Sequence, residues 1–175
     1  MYSKKILCPL GRIFTAWTLV VPLAFAMDIS EFSDLKTYFT KNSTVGVAQI
    51  IQLGPNNWAE IQQEYDPLLL GPQGNFAEIM QGDVNNLSLS NKAVAFQSGD
   101  QNKVSILQTG SDNEASTYQK GVGNEISLSQ SATRASSILI QEGNGNSISL
   151  NQQAGGRYDI TQKGNNYRIV VVVTP

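Results

Sequence analysis

Amide side chains return along this 175-residue chain at fixed intervals. The template Gln-x-Gly-x-x-Asn-(x)5-Gln is met in full at Gln52/Gly54/Asn57/Gln63, Gln97/Gly99/Asn102/Gln108 and Gln108/Gly110/Asn113/Gln119. Gln119/Gly121/Asn124/Gln130 and Gln141/Gly143/Asn146/Gln152 complete the set. Gln, Gly and Asn number 15 each. Chance placement at that abundance gives on the order of 0.01 full matches, so the pattern is a true internal repeat. The chemistry open to it is hydrogen bonding. A primary amide carries two N–H donors and a carbonyl acceptor. Like amides set one above another can form ladders that satisfy buried polar groups and fix register.

Degenerate copies fill the gaps. Gln130/Ala132/Ala135/Gln141 keeps the spacing but loses Gly and Asn, and Gln152/Ala154/Arg157/Gln162 is one residue short. Gln162/Gly164/Tyr167/Val173 ends the series, and Asn86/Ser88/Asn91/Gln97 opens its uninterrupted part. Upstream, Asn75/Ala77/Gln81 keeps half of the template. The segment Glu64 to Leu70 reads as an insertion, and a second phase break falls between Gln81 and Asn86. The expected ladder residues are therefore Gln52, Gln63, Gln81, Gln97, Gln108, Gln119, Gln130, Gln141, Gln152 and Gln162, with Asn57, Asn75, Asn91, Asn102, Asn113, Asn124 and Asn146. One Gln stack is expected to hold Gln97, Gln119, Gln141 and Gln162, and the opposite one Gln63, Gln108, Gln130 and Gln152.

Such residues must be positioned by strands. Asn102, Val104, Ile106 and Gln108 share one face, while Lys103, Ser105 and Leu107 share the other. The next copies repeat this alternation, which is the period of a β-strand. The intervening x-Gly-x-x supplies a turn in which Gly accepts positive φ, at Gly54, Gly99, Gly110, Gly121, Gly143 and Gly164. One 11-residue unit cannot bury its apolar face alone, but two make a 22-residue rung of facing strands, and stacked rungs bury a continuous core. The expected fold is an all-β, two-sheet β-solenoid, with about four rungs from Asn86 to Val173.

Catalysis is not expected. The chain has no histidine, which removes the commonest general base and metal ligand together. Its acidic residues scatter: Asp83, Asp100 and Asp112 fall in predicted turns, and Glu60 and Glu64 sit in a strand-like repeat. No catalytic residue, cofactor or metal site is expected. An enzyme on a β-helix would need a constellation that is missing here. A monomeric β-solenoid adhesin or other binding module is the remaining alternative, but the outward positions, such as Lys103, Glu114, Glu125, Ser136, Ser147 and Asp159, are too mixed for a regular binding face. Exposed Tyr118, Ile138 and Ile140 are candidates for lateral contacts.

Residues 1–26 read as a secretory signal: Lys4, Lys5 and Arg12 precede a mostly apolar Ile13–Phe25 stretch, and Ala24-Phe25-Ala26 offers a cleavage site. That stretch is too short to favour a membrane span. The sole cysteine, Cys8, lies in the segment to be removed, so no disulfide is expected. Removing three basic residues from 12 leaves 9 against 14 acidic ones, a mildly acidic balance that argues against a nucleic-acid partner. At the other end, Ile169-Val170-Val171-Val172-Val173 is a β-branched run without acidic cover. The terminal arc of Tyr167, Arg168, Ile169, Val171 and Val173 is expected to be an adhesive edge.

The Gln-x-Gly-x-x-Asn-(x)5-Gln units resemble the curlin repeats of bacterial curli fibres, from about Ala48 to Val173. The segment Val47 to Asn57 is similar to the opening repeat of the minor, fibre-nucleating subunit. The basic and apolar ending Tyr167-Arg168-Ile169-Val170-Val171 suits that subunit's divergent last repeat. The chain departs from the pattern at its final arc, which lacks the Asn and Gln, and at Arg157, which replaces an Asn. The resemblance implies a structural subunit of a secreted amyloid fibre at the bacterial cell surface, with roles in adhesion and biofilm, the minor subunit being the first reading and a major curlin-type fibre subunit the alternative within the family. It implies self-association, a major curlin subunit as partner, and passage through an outer-membrane curli secretion pore with accessory proteins. Residues 27–45 would then be a non-repeat secretion leader, with residues 46–175 as the solenoid. In that leader Ile29, Phe32, Leu35 and Tyr38/Phe39 also have helical spacing.

Overall fold

The computed structural model describes residues 46–53, 56–64, 74–82 and 90–175. The expected signal and leader over residues 1–45, Gly54, residues 65–70 of the first interruption and residues 83–86 of the second lie outside them.

The described residues form strands joined by short turns. They are β1 (Gly46–Gln52), β2 (Trp58–Glu64), β3 (Asn75–Gln81), β4 (Lys92–Asp100), β5 (Lys103–Gln108), β6 (Glu114–Val122), β7 (Glu125–Gln130), β8 (Ala135–Glu142), β9 (Ser147–Gln152), β10 (Gly156–Lys163) and β11 (Arg168–Val173). Odd strands stack into one parallel sheet in the order β1-β3-β5-β7-β9-β11, and even strands into a second in the order β10-β8-β6-β4-β2. The chain thus crosses from sheet to sheet at every turn, which gives an all-β, β-solenoid-like fold. Pairing joins like to like: Val104 sits beside Ile126, Ile106 beside Leu128 and Gln108 beside Gln130. Within the stack, Gln therefore meets Gln from strand to strand, until Gln152 meets Val173.

The two phase breaks do not disturb this register. Gln63 and Gln81 are 18 positions apart instead of 11, and Gln81 and Gln97 are 16 apart. Yet β1 pairs with β3 through Gln52↔Gln81, and β2 pairs with β4 through Gln63↔Gln97. Lengthening a connection costs closure entropy that grows only logarithmically, so extra residues between strands are compatible with an unchanged pairing. This corrects one expected stack. Gln63 lies beneath Gln97, not in the column of Gln108.

Period-two burial puts the apolar set between the sheets. Ile106, Ile126, Leu128, Ile148 and Leu150 project from the odd sheet and are at most 2% exposed. The even sheet answers mostly with smaller groups, Ala93, Ala95, Ala115, Thr117 and Ser137, with Ile61 and Leu139 as its large members. Large against small is how two parallel sheets fill the space between them at crystal-like density. Each fully buried Ile or Leu contributes about 1.5–3 kcal/mol of transfer free energy. Burial fades at the last strand, where Ile169, Val171 and Val173 are only half-buried because no further strand covers them.

Candidate functional site

Two Gln columns run through the molecule. In the odd sheet, Gln52 Nε2 donates to Gln81 Oε1 at 2.8 Å, Gln81 to Gln108 at 2.7 Å, Gln108 to Gln130 at 2.8 Å, and Gln130 to Gln152 at 3.2 Å. In the even sheet, Gln63 donates to Gln97 at 2.8 Å, Gln97 to Gln119 at 3.0 Å, Gln119 to Gln141 at 2.9 Å, and Gln141 to Gln162 at 2.9 Å. The polarity is uniform: every donor lies on the N-terminal side of its acceptor. The second N–H crosses between the sheets, from Gln97 to the Phe76 carbonyl at 2.9 Å, Gln108 to Lys92 at 3.0 Å and Gln119 to Lys103 at 3.1 Å. One amide therefore ties strand to strand and sheet to sheet, which satisfies groups that have no solvent access. Ser137 joins the odd column, accepting from Gln130 at 3.1 Å and donating to Gln152 at 2.9 Å.

The Asn residues work differently from the expected amide-to-amide ladder. Each Oδ1 accepts a backbone N–H from the neighbouring strand's equivalent position. Asn102 receives Asn124 at 3.1 Å, Asn124 receives Asn146 at 3.1 Å and Asn91 receives Asn113 at 3.1 Å. Asn75 and Asn57 receive Asn102 and Asn91, each at 3.0 Å. The Nδ2 groups of Asn102, Asn124 and Asn146 donate to the carbonyls of Gly121, Gly143 and Gly164 at 2.8, 2.7 and 2.7 Å. Asn is one methylene shorter than Gln, so its carbonyl reaches the adjacent main chain. Side-chain bonds are also present, as from Asn124 to Asn102 at 3.0 Å. Asn113 has Ala132 where others have a turn Gly. Its Nδ2 turns back to the Thr109 carbonyl at 2.9 Å.

The turns stack as tightly as the strands. Gly99, Gly110, Gly121, Gly143 and Gly164 all have positive φ. A Cβ built on Gly121 would stand 2.0 Å from the Gly143 carbonyl oxygen, and one on Gly143 would stand 1.9 Å from that of Gly164. Glycine is needed there for conformation and for close approach. Sequence reasoning missed the residue just before the Asn column, which is left-handed in most of the described turns, though not at Gly155. Gln101, Asp112, Arg134 and Asn166 have φ of 57–60°, and Gly123 and Gly145 occupy the same place. Gly, Asn and Asp there were a usable sign; Gln and Arg hid it. Asn144 and Asn165 were missed too. Their Oδ1 atoms accept the backbone N–H groups of Val122 at 2.9 Å and Asn144 at 2.8 Å.

The outer faces carry lighter interactions. Lys92–Glu114, Lys103–Glu125 and Lys163–Glu142 ion pairs bridge adjacent strands at 3.3, 3.0 and 3.0 Å. Tyr118 is half-buried and stacks on Phe96, with centroids 5.0 Å apart. Asp112 lies in a turn, but Asp100 does not solubilise one. It ends β4 and is 6% exposed. In the terminal arc, Tyr167, Val170 and Val172 are 58, 56 and 61% exposed. Arg168 is also exposed.

Residues 90–121, covering β4, β5 and nearly all of β6, match the family model of the Curlin associated repeat. No curated protein and no solved structure matches the chain. The matched stretch is where Gly99, Asn102, Gly110, Asn113 and Gln119 keep the template without a break. The match supports a relationship to the curlins over that segment.

Proposed function

We propose that this chain is a structural subunit of an extracellular amyloid fibre of the curli type. The carrying observation is the pair of uninterrupted Gln columns, Gln52 to Gln152 and Gln63 to Gln162, held between parallel sheets whose edge strands can accept another strand. A ladder of identical amides is a device for adding like rungs. The repeat match at residues 90–121 supports this reading. In it the building unit is a 22-residue rung of two 11-residue strand–turn units. Residues 1–26 direct export and residues 27–45 serve passage through an outer-membrane pore. The chain acts as the minor subunit, nucleating a major curlin, while the arc from Tyr167 to Val173 attaches the fibre to the cell surface. The work is templated strand addition and needs no covalent step.

The test uses the chain without residues 1–26, followed by thioflavin fluorescence and fibre diffraction, alone and as a seed for a major curlin. Seeding with cross-β reflections near 4.7 and 10 Å supports the reading. Absence of both cross-β material and seeding refutes it. For the attachment role, deleting residues 167–175 should release fibres from cells; full retention would remove that role.

A further inference from the structure

The two ends of the solenoid differ chemically, and the difference lies in one aromatic ring and the ends of four amide columns. At inner turns the space over each Gly is filled by the next turn: the Cβ position of Gly99 meets the Gly121 carbonyl at 2.1 Å, and that of Gly143 meets the Gly164 carbonyl at 1.9 Å. At Gly164 the series ends. The same space is occupied by the Tyr167 ring, whose Cε2 lies 2.7 Å from that position. Tyr167 stands in the Asn column, since its N–H is received by Asn146 Oδ1 at 3.1 Å. It has no amide to pass on. The odd Gln column likewise ends on Val173, which pairs with Gln152. The other Asn column ends on Ala135 and then Gly156. Of these four columns, only that of Gln162 keeps an amide on this face; in the last turn Asn165 uses its Oδ1 to accept the Asn144 N–H.

Among the described residues, the opposite face is made by β1 and β2, and it still carries Gln52, Gln63 and Asn57 in three of the four columns. Because each Gln column donates toward the C-terminal side, an added rung would meet the Oε1 side of Gln52 and Gln63.

We infer that the C-terminal end of the described solenoid is closed to rungs of the chain's own kind, with Tyr167 as the cap over Gly164, and that the N-terminal face of the described residues is the templating end. A second copy is thus a poor partner head-to-tail, because its C-terminal face would set Val173 against Gln52 and a ring against a turn. The matching partner is another chain whose last rung keeps Gln and Asn at the column ends. This rests on the fibre-subunit reading but can fail separately from it.

The experiment exploits the absence of cysteine outside Cys8. Val172 and Ile51 belong to one side-chain column, through Asn151, Ser129, Leu107 and Met80. Head-to-tail stacking would bring them to strand spacing, about 4.8 Å, within disulfide reach. Chains lacking residues 1–26 and carrying Val172→Cys or Ile51→Cys are mixed, oxidised, and their mixed dimer quantified. This is done in three backgrounds: otherwise native, Tyr167→Phe, and Tyr167→Asn/Val173→Gln. Little mixed dimer is expected in the first two. The third should give about tenfold more, the effect of restored buried amide contacts. Equal yields in all three, whether high or low, overturn the inference. Circular dichroism checks that each variant keeps its strands, and Tyr167→Phe separates the ring from its hydroxyl. Absence of both cross-β material and seeding would refute the fibre reading without altering these yields.

Discussion

Gln108 and Gln130 share a hydrogen bond of 2.8 Å between side chains that are both 0% exposed. The other N–H of Gln108 reaches the Lys92 carbonyl in the facing sheet at 3.0 Å. Buried amides are normally a liability, since an unmet donor costs about 1–3 kcal/mol. Here each residue settles its neighbour's requirement. The column holds only if it is unbroken, because a missing member strands the groups on both sides.

Gln119→Leu tests that dependence. Gln119 receives from Gln97 at 3.0 Å and donates to Gln141 at 2.9 Å and to the Lys103 carbonyl at 3.1 Å. Leu is of similar size, so no cavity forms, but three polar groups lose a partner. Equilibrium urea unfolding should show a loss of about 3 kcal/mol, since several stranded groups outweigh the apolar gain of one side chain. A neutral effect would mean the amides merely accompany the stacking.

Two glycines of one turn should behave differently. At Gly121, φ is 124° and a Cβ would lie 2.0 Å from the Gly143 carbonyl; at Gly123, φ is 68° and nothing lies within 4 Å of the added atom. Gly121→Ala should cost over about 3 kcal/mol, through a glycine-only conformation and a backbone clash that relaxes only by parting two turns. Gly123→Ala should cost about 1–2 kcal/mol, the penalty of a left-handed non-glycine residue. Thermal melts of the two variants check the ranking.

How far the sequence disclosed this arrangement depends on which atoms carry each role. The Gln positions were legible because Gln recurs at one place in every unit, and the alternation around Val104 and Ile106 announced both strand and core. The place of Gln63 was not. Its partner Gln97 is 34 positions away, across two interruptions, and spacing alone cannot say which sheet resumes after an insertion. The bracket made by each Asn was hidden because its partners are main-chain atoms, which leave no trace in residue type. Tyr167 read only as a lost Asn. That its ring lies over Gly164 is a fact of three dimensions that residue type does not record.

The charged pairs should matter far less than the amides. Lys103 and Glu125 meet at 3.0 Å, but their side chains are 55% and 50% exposed. Solvent and salt screen such a pair, so Lys103→Ala should cost under about 1 kcal/mol, and less at high ionic strength. Unfolding midpoints in low and high salt measure this. A loss matching that of Gln119→Leu would reverse the ranking of buried amides over surface ions.

Asp100 should show the opposite sign. It pairs with Val122, and the next residues in its column, Asn144 and Asn165, each use Oδ1 to accept a backbone N–H. Asp100 is 6% exposed, and its Oδ1 has no hydrogen-bond partner among the described residues. A carboxylate removed from water without a full set of donors works against folding, and an amide of the same shape carries no net charge to desolvate. Asp100→Asn should therefore raise stability by about 1 kcal/mol or more, read as a higher urea midpoint with an unchanged slope. Asp112→Asn is the control: that residue lies in a turn outside the core, and its replacement should shift the midpoint little. If Asp100→Asn lowers the midpoint, the carboxylate is held by a favourable interaction and its burial is not a cost to the fold.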